Sequence, residues 1–309
     1  MPSPNLFEVF VIFISVFGTV NNVLFVTTII SIPFKSKLTN SLLINQCICD
    51  ASASLIYVLI KYVPSLKPTS ITVINKVICH LWDSQVLFWF FIMASVQTLL
   101  WIGLDRYIAI LHPVHYRNHA KQLIIASHIW IYTISPILGI PSAFHCSVVN
   151  ETCQSIHTLP DDYYKVHLKI YSISWYCFIY LGPIISFIII YYKIIVFIHK
   201  NSKENLNQRM KRSTVIFTIT TIVITIQFAL FVFLDASYYV ASSFEIFNYV
   251  YYGTVEEVGV LLLLISCIMN PIICMITMKI RRQLCLKVFL FCLHRQSMGR
   301  KVYPNNTNR

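Results

Sequence analysis

Ionisable side chains set among apolar neighbours are the first places to look for chemistry, and this sequence has few. Asp50 is the only acid deep within an apolar stretch. An ionised carboxylate there is costly unless it is paired or hydrogen-bonded. Asp105 and Arg106 stand side by side where another apolar stretch ends. A guanidinium cannot shed its charge, so Arg106 must be paired or hydrated. His112, His115 and His119 crowd the polar segment after that pair, away from any nucleophile or acid cluster. Ten cysteines are present, and none shows metal-binding spacing. No catalytic constellation of nucleophile, base and acid sits in an apolar stretch, so an enzyme is not expected. Asn150-Glu151-Thr152 is a glycosylation acceptor sequence, with Asn150 as the acceptor, and Asn305-Asn306-Thr307 repeats the pattern.

The elements that position these residues follow from composition. Of 309 residues, 57% are hydrophobic and 12% charged, against roughly 25% charged in a soluble domain. The mean hydropathy is +0.68. Such a chain cannot cover a water-facing surface, and 7 glycines leave no room for glycine-rich phosphate loops. Seven stretches reach the ~20 apolar residues that a spanning helix needs: Leu6–Ile32, Thr39–Val63, Val77–Leu111, Leu123–Phe144, Ile170–Ile198, Ser213–Leu234 and about Val258–Met278. Each is too long and too evenly apolar for a barrel strand. All but five of the 24 lysines and arginines (Lys61, Lys67, Lys76, Lys165 and Lys169) fall on one side of these spans. By the positive-inside rule the N-terminus lies outside and the C-terminal tail in the cytosol. The net charge of +12 is thus a topology signal and calls for no nucleic-acid partner.

Seven spans in this orientation carry motifs in register. Asp105-Arg106-Tyr107-Ile108-Ala109-Ile110, then His112-Pro113, ends span three. Ser95 lies eleven residues before Arg106. Span one has Asn22, and span two has Asn40, Leu43, Asn45 and Asp50. Span four has Trp130, with Asn45 placed to bond its indole. Span five has Pro183 and Tyr191; span seven has Ser266, Asn270 and Pro271. With these residues the chain resembles the rhodopsin-like (class A) G-protein-coupled receptors over nearly its whole length, as a divergent orphan. The resemblance implies an all-α membrane protein, a seven-transmembrane helix bundle with a short amphipathic eighth helix. Span six departs from the pattern: Phe228 and Leu230 stand where the family has tryptophan and proline, and Cys274 replaces the tyrosine after Asn270-Pro271.

The resemblance assigns roles. Asp105, Arg106, Tyr107, Tyr191, Asn270, Pro271 and Cys274 would form the coupling switch facing a heterotrimeric G protein. No acid stands at the base of span six to pair with Arg106, where the chain reads Arg209, Met210, Lys211, Arg212. Asp50 with Asn22, Ser95, Ser266 and Asn270 would hold a sodium ion; a hydrogen-bonded cluster around a protonated Asp50 is the alternative. No other metal or cofactor is implied. Cys79 would bridge to the second outer loop, through Cys153 or Cys146, with the distance to Pro183 favouring Cys153 and a local Cys146–Cys153 bridge as the alternative. Its spacing to Arg106 is two residues longer than expected, so span three must bulge or lengthen. The segment His145–His157 reads as a hairpin turning at Asn150-Glu151. The receptor domain covers residues 1–294. It includes an amphipathic helix over 279–294 whose apolar face is Ile280, Leu284, Val288 and Phe291. Cys285 and Cys292 there are either palmitoylated or simply packed. Residues 295–309 form a disordered cytosolic tail. The remaining cysteines (Cys47, Cys49, Cys177, Cys267 and Cys274) are expected in the core.

For the ligand, Leu264 stands where opsins have the retinal lysine, and Phe88 where amine receptors have an aspartate. Glu256 and Glu257 at the top of span seven, with the aromatic residues Phe88, Trp89, Phe228 and Phe231, suit a cationic peptide. The expected function is a multi-pass plasma-membrane receptor that converts an extracellular ligand into G-protein activation. An amine-like or constitutively active orphan receptor is the alternative. A transporter or channel is remote, because no internal repeat is visible.

Overall fold

The computed structural model describes residues 6–34, 36–62, 72–149, 152–155, 162–200, 208–247 and 253–277. Within them, seven helical segments are long and apolar enough to cross a membrane. Span one is α1 (Leu6–Ser31) and span two α2 (Lys37–Tyr62). Span three joins α3 (Thr72–Ile78) to α4 (Val86–Leu111) through a π-helical turn at Cys79–Asp83. A short helix α5 (Pro113–Asn118) leads into span four, α6 (Ala120–Gly139). The antiparallel strands β1 (Cys146–Val149) and β2 (Thr152–Ser155) follow. Span five joins α7 (Asp162–Tyr176) and α8 (Gly182–Lys200) through a second π-helical turn, Cys177–Leu181. Spans six and seven are α9 (Gln208–Ser243) and α10 (Thr254–Thr277). Helices are the form available here, since lipid offers no partner for an open backbone group.

Span three is the most enclosed of the seven. Phe25, Met93, Leu99, Ile131, Phe187 and Phe228 meet in the core around it. Large apolar side chains such as Phe13, Leu24, Ile188, Tyr192 and Leu230 point outward, where acyl chains replace water. Span three carries its π turn within the stretch between Cys79 and Arg106. Ser84 N–H reaches back to the Cys79 carbonyl at 3.1 Å, and Gln85 takes a left-handed conformation (φ 56°) before α4 begins. The π turn in span five has a different cause. Pro183 has no N–H to donate, so the ladder widens ahead of it. Gly182 permits this, since a Cβ there would lie 2.8 Å from the Cys177 carbonyl.

Several boundaries differ from those expected. Helix α9 does not stop at Leu234; it continues two turns to Ser243 and starts at Gln208. Asp235 ends the apolar window, but a charge does not interrupt backbone hydrogen bonding. Helix α10 starts at Thr254, so Glu256 and Glu257 fall in its first turn, where the helix dipole favours anions. Asp50 is therefore not the only buried acid in a span: Asp235 and Glu256 are buried as well. Cys177, at the start of the π turn in span five, is exposed and not in the core; Cys47, Cys49, Cys267 and Cys274 are buried. The amphipathic helix at 279–294, the tail, Cys285, Cys292 and Asn150 lie outside the described residues.

Candidate functional site

Three groups of polar residues lie along the bundle. The first is at the end of span three that bears Arg106. Asp105 is fully buried and Arg106 partly so. Arg106 donates from Nε to Asp105 Oδ2 at 3.0 Å, and its Nη2 contacts both Asp105 and Thr39. Thr39 donates to Asp105 Oδ2 at 2.8 Å, and Tyr116 of α5 donates to Asp105 Oδ1 at 2.5 Å. Ser36 completes the ring, 2.5 Å from the Tyr116 hydroxyl. Burial, and then the Asp105 carboxylate beside it, push the Tyr116 phenol up, so it remains a donor. Span six meets Arg106 through an aromatic ring: the guanidinium lies 4.1 Å from the centre of the Phe217 ring. Phe217 is braced edge-on by Phe34 at 6.1 Å. Tyr107 stands apart from this network, under Lys193 Nζ at 5.8 Å. Tyr191 bonds Thr225 across spans five and six at 3.2 Å.

The second group surrounds Asp50. Ser95 donates to its Oδ1 at 2.6 Å and Asn270 to its Oδ2 at 2.9 Å. Asn22 and Ser266, expected in the same set, do not reach it. Asn22 donates to the Gly18 and Cys267 carbonyls at 2.9 and 3.2 Å and, with Asn21 on Ile268, ties span one to span seven. Ser266 receives the Gln227 amide at 2.6 Å. The place beside the carboxylate belongs to Gln46, whose Nε2 lies 3.3 and 3.2 Å from the two oxygens and 2.5 Å from Ser95 Oγ. Asn45 does not bond Trp130. It donates to Thr98 at 2.8 Å and accepts from Tyr132 at 2.5 Å, while the Trp130 indole donates to Gln97 at 3.0 Å. Pro271 and Cys274 line a small cavity together with Gln46, Leu99, Phe217 and Asn270.

The third group is at the hairpin end. A Cys79–Cys153 disulfide, with Cα atoms 5.4 Å apart, fastens β2 to span three, and Cys146 is a buried thiol outside that bridge. The strands pair Val148 with Cys153. Aromatic rings run from span three through span five to span six: Trp89 to Trp175 at 5.6 Å, then Trp175 to Tyr239 at 5.4 Å. Phe88 is fully buried against Tyr57 and Trp89, which makes it a core residue and not a pocket wall. Phe228 is buried and Phe231 half-buried. The two expected acids part company. Glu257 pairs with Lys61 at 2.6 Å. Glu256 instead lies within electrostatic reach of Asp235 on span six. Gly259 makes that seat, since a Cβ there would stand 2.7 Å from Asp235 Oδ1.

Thr39, Gln46, Tyr116, Phe217 and Asp235 were not among the residues the sequence singled out. Two signals were available: Gln46 falls one helical turn before Asp50, and Asp235 directly follows an apolar window.

The profile of the family described as 7 transmembrane receptor (rhodopsin family) matches residues 21–273. That match covers most of the chain: the later part of span one, the whole of spans two to six and most of span seven. With seven apolar helices, a buried Asp-Arg pair closing span three and a bridge fastening the hairpin, it identifies a receptor and not an enzyme: the chain belongs to the rhodopsin family of G-protein-coupled receptors.

Proposed function

We propose that this receptor sits in the plasma membrane with its N-terminus outside, binds an extracellular cationic ligand of peptide size, and activates a heterotrimeric G protein at its Arg106 end. The observation that carries the ligand assignment is Asp235. It is a buried carboxylate facing Glu256, with no ion pair among the described residues. Ionising it there without a partner is expensive, and a cation arriving from the ligand supplies that partner. The tethered hairpin and the aromatic rings of spans three, five and six support a peptide over a small amine. Phe88 gives an amine nothing to pair with, because it is core. At the other end, Arg106 is positioned by Asp105 and Thr39 within a ring of hydroxyls, as a coupling residue requires.

The test uses purified receptor in lipid nanodiscs with heterotrimeric G protein, screened against a library of basic peptides by nucleotide exchange. Asp235→Asn should lower agonist potency about tenfold or more, the loss of one charge-assisted contact. Potency that ignores this change would overturn the ligand assignment. Exchange that survives Arg106→Ala would overturn the coupling assignment.

A further inference from the structure

The family resemblance places a sodium ion beside Asp50, and the residues present do not fit one. We propose that the Gln46 side chain takes that place, so that this receptor carries a built-in amide where the resemblance implies an exchangeable cation. Gln46 and Asp50 are four residues apart on α2, hence on one helix face, and the amide reaches both carboxylate oxygens at 3.3 and 3.2 Å. A hard cation needs lone pairs turned toward it. Among the described residues, each group that meets the carboxylate does so with a proton: the Ser95 hydroxyl at 2.6 Å, the Asn270 amide at 2.9 Å, the Gln46 amide and the Cys267 thiol. The free lone pair of Ser95 is used as well, by Gln46 Nε2 at 2.5 Å. Neither of the two other residues expected there reaches the carboxylate: the Asn22 amide donates to backbone carbonyls of spans one and seven, its Oδ1 buried without a hydrogen-bond partner among the described residues, and Ser266 accepts from Gln227.

Space gives the same answer. Gln46 is 4% exposed, so it cannot swing into solvent to admit an ion. The nearby cavity, about 10 Å³ in volume, does not reach the carboxylate. It is walled by Gln46 and Asn270 but not by Asp50. An amide also serves either form of its partner, offering N–H to a carboxylate or its oxygen to a carboxylic acid. The Asp50 carboxylate is therefore satisfied without a diffusible ligand, while Gln46 Oε1 and Asn270 Oδ1 are buried with no hydrogen-bond partner among the described residues. Because an ion shifts a conformational equilibrium only through its differential affinity for the two states, sodium has no purchase on this one.

The experiment measures thermal unfolding of the purified full-length receptor as sodium replaces N-methyl-D-glucamine at constant ionic strength. The unmutated protein should give a flat Tm. Gln46→Ala, which vacates the site, should acquire a saturable rise of roughly 3 °C at sodium about tenfold above its Kd. Adding Asp50→Asn to that variant should abolish the rise. A saturable sodium-dependent rise in the unmutated receptor that Asp50→Asn removes would overturn the proposal. So would a Gln46→Ala receptor that stays flat, for then something other than Gln46 keeps the ion out. The titration of the unmutated protein decides even if Gln46→Ala fails to fold, and it needs no ligand or G protein.

Discussion

Replacing Phe217 tests whether span six restrains Arg106 without an acid. The guanidinium lies 4.1 Å from the ring centre, and its side chain is 13% exposed. A cation over an aromatic face contributes ~0.5–1 kcal/mol when solvated and about 2 kcal/mol when desolvated; this geometry belongs toward the upper part of that range. An exposed ion pair in its place would contribute only ~0–1 kcal/mol. If the contact exists only in the resting state, losing ~1–2 kcal/mol multiplies the active population roughly 5- to 30-fold while that population is small. Phe217→Leu keeps an apolar side chain against Phe34 and removes the ring quadrupole, whereas Phe217→Trp strengthens it. The assay is ligand-free nucleotide exchange on purified G protein, normalised to folded receptor. Leucine should raise basal exchange about fivefold or more, and tryptophan should leave it at or below the starting level. Equal basal rates for phenylalanine and leucine would refute the reasoning, because packing would then explain the contact and cation–π attraction would not.

Further outcomes follow from the other groups. Arg106→Ala should abolish G-protein activation while surface expression, measured by antibody to an N-terminal tag, persists. Non-reducing peptide mapping should recover a Cys79–Cys153 fragment; Cys153→Ala should cost ~2–4 kcal/mol of stability, and Cys146→Ala should leave the fragment intact. Gly259→Ala should weaken a cationic agonist as Asp235→Asn does, since the new methyl group would displace a carboxylate oxygen from a point 2.7 Å away; unchanged potency would mean that Asp235 can move at no cost. Lys61→Ala and Glu257→Ala should couple by no more than about 1 kcal/mol in a double-mutant cycle of thermal stability, because the pair is partly solvated.

Much of the bundle was legible in the sequence because hydropathy over twenty residues integrates many side chains, and no single substitution disturbs it. The number and order of spans, the hairpin and the Asp105-Arg106 pair all came from signals of this cumulative or high-contrast kind. Helix ends were less legible. Leu234 looked like a boundary because hydropathy falls at Asp235, yet a helix ends where its backbone ladder does, and nothing between Asp235 and Ser243 breaks it. Partner choice was the least legible. Asn45 had Trp130, Thr98 and Tyr132 within plausible reach, and the rotation of α6 decided for the last two. Gln46 and Phe217 were invisible for a related reason. Glutamine and phenylalanine are ordinary in an apolar helix, and only the packing of spans two, three, six and seven turns them toward Asp50 and Arg106.

The absence of proline from span six has a mechanical consequence. Helix α9 runs unbroken for 36 residues, about 54 Å at 1.5 Å per residue. Asp235 and Phe217 lie on it eighteen residues apart, which is about five turns and roughly 27 Å, so the acid near one end and the ring near the other face the same side. Such a rod behaves as a lever. If a cation drew Asp235 toward Glu256, a tilt of about 5° would move Phe217 by roughly 2 Å relative to it, over the axial rise between them. That stroke is large against the 4.1 Å between the ring centre and Arg106. Where a proline-kinked helix bends at its middle and swings one arm, an unbroken one carries a tilt along its whole length, with no joint between Asp235 and Phe217 to absorb it.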